Sequence, residues 1–115
     1  MTPDELGAVA LGLTEATMDH AFGPETNVYK VEGKVFAILQ PAEARVTLKC
    51  EPSLALELRA QFPAVTPGYH TNKKHWNTVD LDGSVPDDEL RDMVEHAYAR
   101  VVSALPKAVR ERLAG

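Results

Sequence analysis

The chain is short of the residues that usually announce a chemistry. It has one cysteine, Cys50, in 115 residues, so no internal disulfide can form and a reducing compartment is the simpler expectation. No Cys pair and no His-x-x-x-His spacing occurs; His20, His70, His75 and His96 are scattered, so no closed zinc site and no resident metal or cofactor is expected. No apolar run approaches the roughly 20 residues of a membrane helix. There is no Gly-x-Gly-x-x-Gly, no phosphate-binding P-loop and no Gly-x-Ser-x-Gly. Nor can a nucleophile be named beside His70 or His75, so a binding module is expected rather than an enzyme. The opening Thr2-Pro3-Asp4-Glu5 is acidic where a signal peptide is basic, which leads us to expect a cytoplasmic protein with no membrane partner.

Positive charge is scarce and unevenly placed. The formal net charge is −5, which argues against strong nonspecific nucleic-acid binding. Residues 1–27 hold five acids and no Lys or Arg, and residues 77–115 hold eight acids and five bases. Residues 28–76 reverse this, with seven bases against four acids. Screening over roughly 8 Å at physiological salt lets such a basic centre act partly on its own.

What the chain does have is one unusual stretch, Pro67 to Val79. It holds the only Trp, two of the four His, and adjacent lysines. Cores do not bury Lys73 and Lys74, and idle loops rarely set Tyr69 and Trp76 among cations. Cations, amides and rings together suit phosphates and exposed bases. The plainer reading makes Trp76 a packing anchor and the lysines guards of a sheet edge.

The remaining pattern is that of one domain over 1–115, long enough for a single core. Thr2, Pro3 and Glu5 start a helix that the spacing of Leu6, Val9, Ala10, Leu13 and Thr17 carries to near Met18. Val28–Val31 and Val35–Leu39 read as strands joined by a tight turn, Glu32-Gly33-Lys34. Arg45–Cys50 alternates, with Val46, Leu48 and Cys50 on one face and Arg45, Thr47 and Lys49 on the other. Cys50 then reads as a small core residue, not a nucleophile. Pro52 to Phe62 is a second helix, Val65-Thr66-Pro67-Gly68 a turn, Tyr69–Thr71 a short strand, and Trp76–Leu81 a strand that turns Trp76, Thr78 and Asp80 outward. Leu90, Met93, Val94, Ala97, Tyr98, Val101, Val102 and Leu105 form the apolar stripe of a third helix after Pro86, and a short fourth follows Pro106. The order α-β-β-β-α-β-β-α-α predicts an α+β two-layer sandwich, an antiparallel sheet with helices on one face and the other face wet. That exposes Arg45, Lys49 and Trp76, with Lys30 a further candidate.

Several blocks together resemble the MmcQ/YjbR family: Phe22-Gly23-Pro24-Glu25-Thr26, Gly33-Lys34-Val35-Phe36-Ala37, Leu48-Lys49-Cys50, Pro67-Gly68-Tyr69-His70, above all Asn72-Lys73-Lys74-His75-Trp76-Asn77-Thr78-Val79, and the tail Val85-Pro86-Asp87, Tyr98 and Leu105-Pro106-Lys107. The resemblance runs from about residue 20 onward. It implies the CyaY-like sandwich and a DNA-binding role carried by Asn72, Lys73, Lys74, His75 and Trp76, with Lys34. Kinship of that fold with frataxin-like proteins keeps iron as an alternative, though fold does not set function.

The expectation is therefore a monomeric nucleic-acid-binding module. Lys73, Lys74, Lys49 and Arg45 contact phosphates, Trp76 or Tyr69 stacks on a base, and Asn72, His75 and Lys34 complete the site. Two alternatives stand beside it: a pocket around His70, His75 and Trp76 for a small anionic metabolite, with or without catalysis, and a protein-interaction face on the open sheet.

Overall fold

A computed structural model describes all residues, 1–115. Helix α1, Pro3–Leu11, starts on a complete capping box: Glu5 N–H donates to Thr2 Oγ1 at 3.1 Å and Thr2 N–H to Glu5 Oε1 at 2.9 Å. It stops seven residues short of the expected end. Gly12 N–H closes back on the helix carbonyls, and Glu15 takes a positive φ of 55°. Thr17–Asp19 then forms a strand, β1, along the edge of β2, Asn27–Val31. Apolar spacing alone had carried the helix through these residues; unpaired backbone groups on β2 compete for them and win.

β2 and β3, Lys34–Gln40, form a hairpin whose two central residues are Glu32 and Gly33, at φ 51° and 72°, so Lys34 belongs to the strand. Positive φ at both is what matches a two-residue turn to the strand twist. A 3-10 turn at Pro41–Glu43 leads to β4, Arg45–Lys49, and then to α2, Pro52–Gln61. The segment read as a turn before Tyr69 is instead strand β5, Val65–Pro67, and the strand expected at Tyr69–Thr71 is absent. β5 sits at the sheet edge, where Pro67 loses nothing by lacking an N–H. It pairs with β6, Trp76–Asp80, in the register Val65↔Val79 and Pro67↔Asn77. The long helix α3, Asp87–Ser103, and α4, Lys107–Ala114, complete the chain.

The six strands form one antiparallel sheet in the order β1-β2-β3-β4-β6-β5. α3 lies over β2, β3 and β4, while α2 lies over β5 and β6. Leu90, Met93, Val94, Ala97 and Val101 of α3 meet Phe36, Leu39, Val46, Leu48 and Val79 in the core. Tyr98 sets its ring edge-on to Phe36, with centroids 5.6 Å apart. No helix is long and apolar enough to cross a membrane.

The expectation of a wholly wet outer face needs correction. Directly opposed residues in antiparallel strands share a face. The row Val28, Ile38, Thr47 and Thr78 therefore runs across the outer side. Val28 is 0%, Thr47 3% and Thr78 5% exposed. Residues 68–75 fold back over the sheet and cover part of it.

Candidate functional site

That returning segment makes a groove. Gly68 N–H donates to Trp76 O at 2.9 Å, and Tyr69 N–H donates to Thr78 Oγ1, also at 2.9 Å. Thr78 Oγ1 in turn shares a hydrogen bond with Thr47 Oγ1 at 2.9 Å. The return is tight enough to require glycine at 68. A Cβ there would lie 2.6 Å from Trp76 Cβ and closer still to Thr71 Oγ1. Between this segment and the β1–β2 loop lies a space of about 520 Å³. Val35, Ile38 and Thr47 form its floor; Phe22 and Thr26 stand on one side, and Tyr69, His70, Thr71, Asn72 and Trp76 on the other. No Asp or Glu lines it.

Two aromatic rings in this groove carry a cation. Arg45 places its guanidinium carbon 4.3 Å from the Tyr69 ring centroid, steered by a 2.7 Å bond from its Nε to Gln40 Oε1. Lys49 places Nζ 5.1 Å from the Trp76 ring centroid. Such contacts are worth about 0.5–1 kcal/mol at exposed sites. They hold two positive charges at the groove in a chain that is otherwise acidic. The Tyr69 and His70 rings lie 4.0 Å apart.

The expected site residues separate into three groups. Tyr69, Asn72 and Trp76 line the groove, and Arg45 and Lys49 reach its rings. Lys73 turns back on its own loop, donating from Nζ to Gly68 O at 3.2 Å. Lys74, His75 and Lys34 do not line the groove. Lys74 lies toward the start of α2 with Glu51 and Ser53. His75 serves through its backbone, accepting from Cys50 N–H at 2.8 Å. Lys34 is exposed at the β2–β3 hairpin. The two adjacent lysines diverge because Asn72 Oδ1 accepts from Lys74 N–H and Asn72 O from His75 N–H, reversing the chain between them. Lys30, a further candidate, is ion-paired with Asp19 at 2.9 Å.

Sequence reasoning overlooked Arg59, which holds the groove from the opposite side of the sheet. From α2 its Nε donates to Asn77 Oδ1 at 2.7 Å, and its Nη2 donates to the carbonyls of Lys73 and Trp76. Asn77, 2% exposed, donates onward to Ala55 O. Nothing in a helical Arg marks such a role. Phe22, 58% exposed, was also missed as a wall; a lone aromatic before Gly23-Pro24 was the signal. Cys50 is 3% exposed and burial pushes its thiol up, which disfavours the thiolate. No three His, Cys, Asp or Glu side chains gather as a metal site would require.

Comparison with known proteins places the chain in context. The family model YjbR matches residues 11–100. The uncharacterized protein YjbR of Escherichia coli K12 is 44% identical over 86 residues, 73% of either chain. The uncharacterized protein YbdF of Escherichia coli O157:H7 is 34% identical over 109 residues, covering 91% of this chain and 88% of that one. Among solved structures, a Deinococcus radiodurans DUF419 protein superposes with a TM-score of 0.91 at 36% identity, covering 98% of this chain and 88% of its own. A Pseudomonas syringae protein does so with a TM-score of 0.73 at 28% identity, covering 84% and 96%.

Proposed function

The chain belongs to the YjbR family, and from that premise we propose that it binds nucleic acid as an unpaired strand, seating a base in the groove on the outer face of the sheet. The observation that carries this reading is the pair of cation-backed rings, Arg45 on Tyr69 and Lys49 on Trp76, in a groove without a carboxylate. A base has a π-face that either ring can stack against, and base–aromatic stacking is worth about 1–3 kcal/mol. Arg45 and Lys49 then neutralise the phosphates on either side, with Lys73 behind them. Asn72 and His70 offer hydrogen bonds to a base edge. The reading takes the protein as a cytoplasmic monomer.

Unpaired nucleic acid suits the groove better than duplex. Lys74 and Lys34 stand away from Arg45 and Lys49, so no continuous row of cations follows a double helix. The same divergence favours the second reading, a small phosphate-bearing metabolite held in the groove alone.

Trp76 fluorescence tests both, because this is the only tryptophan. Titration with a single-stranded oligonucleotide should quench it saturably. Three phosphate contacts at about −0.7 each give a log–log salt slope near −2. The Arg45→Gln/Lys49→Gln variant should flatten that slope and weaken binding to every sequence. Binding that ignores salt, or that survives the double variant, rejects the nucleic-acid reading. A mononucleotide that binds as tightly as the oligonucleotide selects the metabolite.

A further inference from the structure

The helical side of the sheet holds a second space that the groove does not use. α3 and α2 cover different strands, and a cleft of about 250 Å³ opens between them. Leu48 and Val79 form its floor, and Leu54, Leu58 and Met93 its walls. Its rim is different: Glu89 and Asp92 of α3 line the cleft, and neither takes part in an ion pair. Acids in a first helical turn commonly answer the helix dipole, but Asp92 lies beyond that turn of α3.

We propose that this cleft is a binding site for a small organic ammonium ion with an apolar body, the body on the leucines and the charge between Glu89 and Asp92. Size fits. An apolar cavity of about 150 Å³ holds benzene, so this one takes a six-membered ring with a short aminoalkyl arm.

Charge fits as well. Lys49 contributes to the cleft wall, yet its Nζ is drawn to the other face, over Trp76. Arg59 is committed to Asn77 and the 73–76 loop. His96 lines the cleft but accepts at Nε2 from Glu51 N–H, 3.1 Å away, which requires that nitrogen unprotonated; burial and the nearby Arg100 also lower the ring's pKa. The cationic residues lining the cleft, and Arg59 beside it on α2, therefore direct their charge elsewhere. Arg100 of α3 is the cation near this region, close to Cys50 and His96, and it stands eight residues, about 12 Å along the helix, past Asp92. The carboxylate pair over an apolar floor thus selects a cation that carries hydrocarbon.

Benzylammonium is the probe, with benzyl alcohol as its neutral isostere, followed by amide NMR shifts at low salt. The expected result is a set of shifts at Leu54, Leu58, Asp92 and Met93, saturating with benzylammonium. In Glu89→Gln/Asp92→Asn the affinity should fall about thirtyfold at low salt, from the loss of two charges near 4 Å in a water-exposed rim, while benzyl alcohol binds both proteins alike. Leu58→Phe, which fills the cleft, should abolish the shifts, and its own spectrum reports that the fold survives. Equal binding of the alcohol and the ammonium, an unchanged affinity in the double variant, shifts centred on Tyr69 and Trp76, or none at all would each overturn the proposal.

Discussion

Along β4, Leu48 faces the cleft between α2 and α3, while its neighbour Thr47 floors the groove on the other side. Along β6, Asn77 and Val79 face the helices and Trp76 lines the groove. The two concavities are thus built from alternate residues of the same two strands, with different lining. The cleft is leucine-rich with carboxylates at its rim, and the groove has aromatic walls and cations on its rings. A strand repeats every two residues, so neighbours in sequence supply opposite environments. The helical side is held together by burial. The outer side is held by hydrogen bonds from one returning loop, and the two sides should answer mutation differently.

The largest expected effect breaks that comparison most directly. Leu39, 1% exposed, faces the core, and its neighbour Ile38 floors the groove. Leu39→Ala should cost about 2–5 kcal/mol, and Ile38→Ala, half-buried, about 1 kcal/mol. Urea unfolding at unchanged m-value reads both, and equal losses would mean the faces share one core. Next comes Arg59→Ala. It strands Asn77 and frees the 73–76 loop, at a cost of about 2 kcal/mol and a melting temperature lower by roughly 8 °C. Lys74→Ala, two residues before Trp76 and exposed, should change stability by under about 0.5 kcal/mol. Oligonucleotide binding by Trp76 should weaken in the Arg59 variant if that arginine positions the groove.

The smallest effect is in pH. His96 titrates below its ordinary 6.5 in the folded chain, so just below pH 6.5 the unfolded chain binds more protons and stability falls as pH falls. Above 6.5 the contribution is complete. Glu51 caps α2 by accepting from Ser53 Oγ, Leu54 N–H and Ser53 N–H, which holds its carboxyl at about 2. Its contribution is lost separately, as pH drops from about 4.5 toward 2. Unfolding free energy followed from about pH 8 to 2 in His96→Gln should lose the slope below 6.5 and keep the one between about 4.5 and 2.

Much of this architecture was readable in advance, for reasons that differ by element. β4 alternates over five residues and α3 repeats over seventeen, and both patterns record which side meets the core. α1 was extended too far and β1 and β5 were missed. Three-residue strands carry too little pattern, and their pairing is decided by partners elsewhere in the chain. The groove was read only in part. Tyr69, Trp76, Arg45 and Lys49 meet on the outer side, whereas Lys73 and Lys74, both expected to contact phosphates, diverge. A turn stabilised by Asn72 separates them. Arg59, from the far side of the sheet, left no local trace.

The sequence by itself determined the one-sided packing of the helices, the inward Cys50 and the concentration of rings and cations at 69–76. These follow from periodicity, burial and composition, which are properties of neighbours along the chain. Tertiary structure alone decided that residues 68–75 lie back across the sheet, that Thr47 and Thr78 are buried beneath them, and that α2 and α3 part over β4 and β6 to leave a cleft. Each of these joins residues distant in sequence, through hydrogen bonds or packing that exist only once the strands are in register.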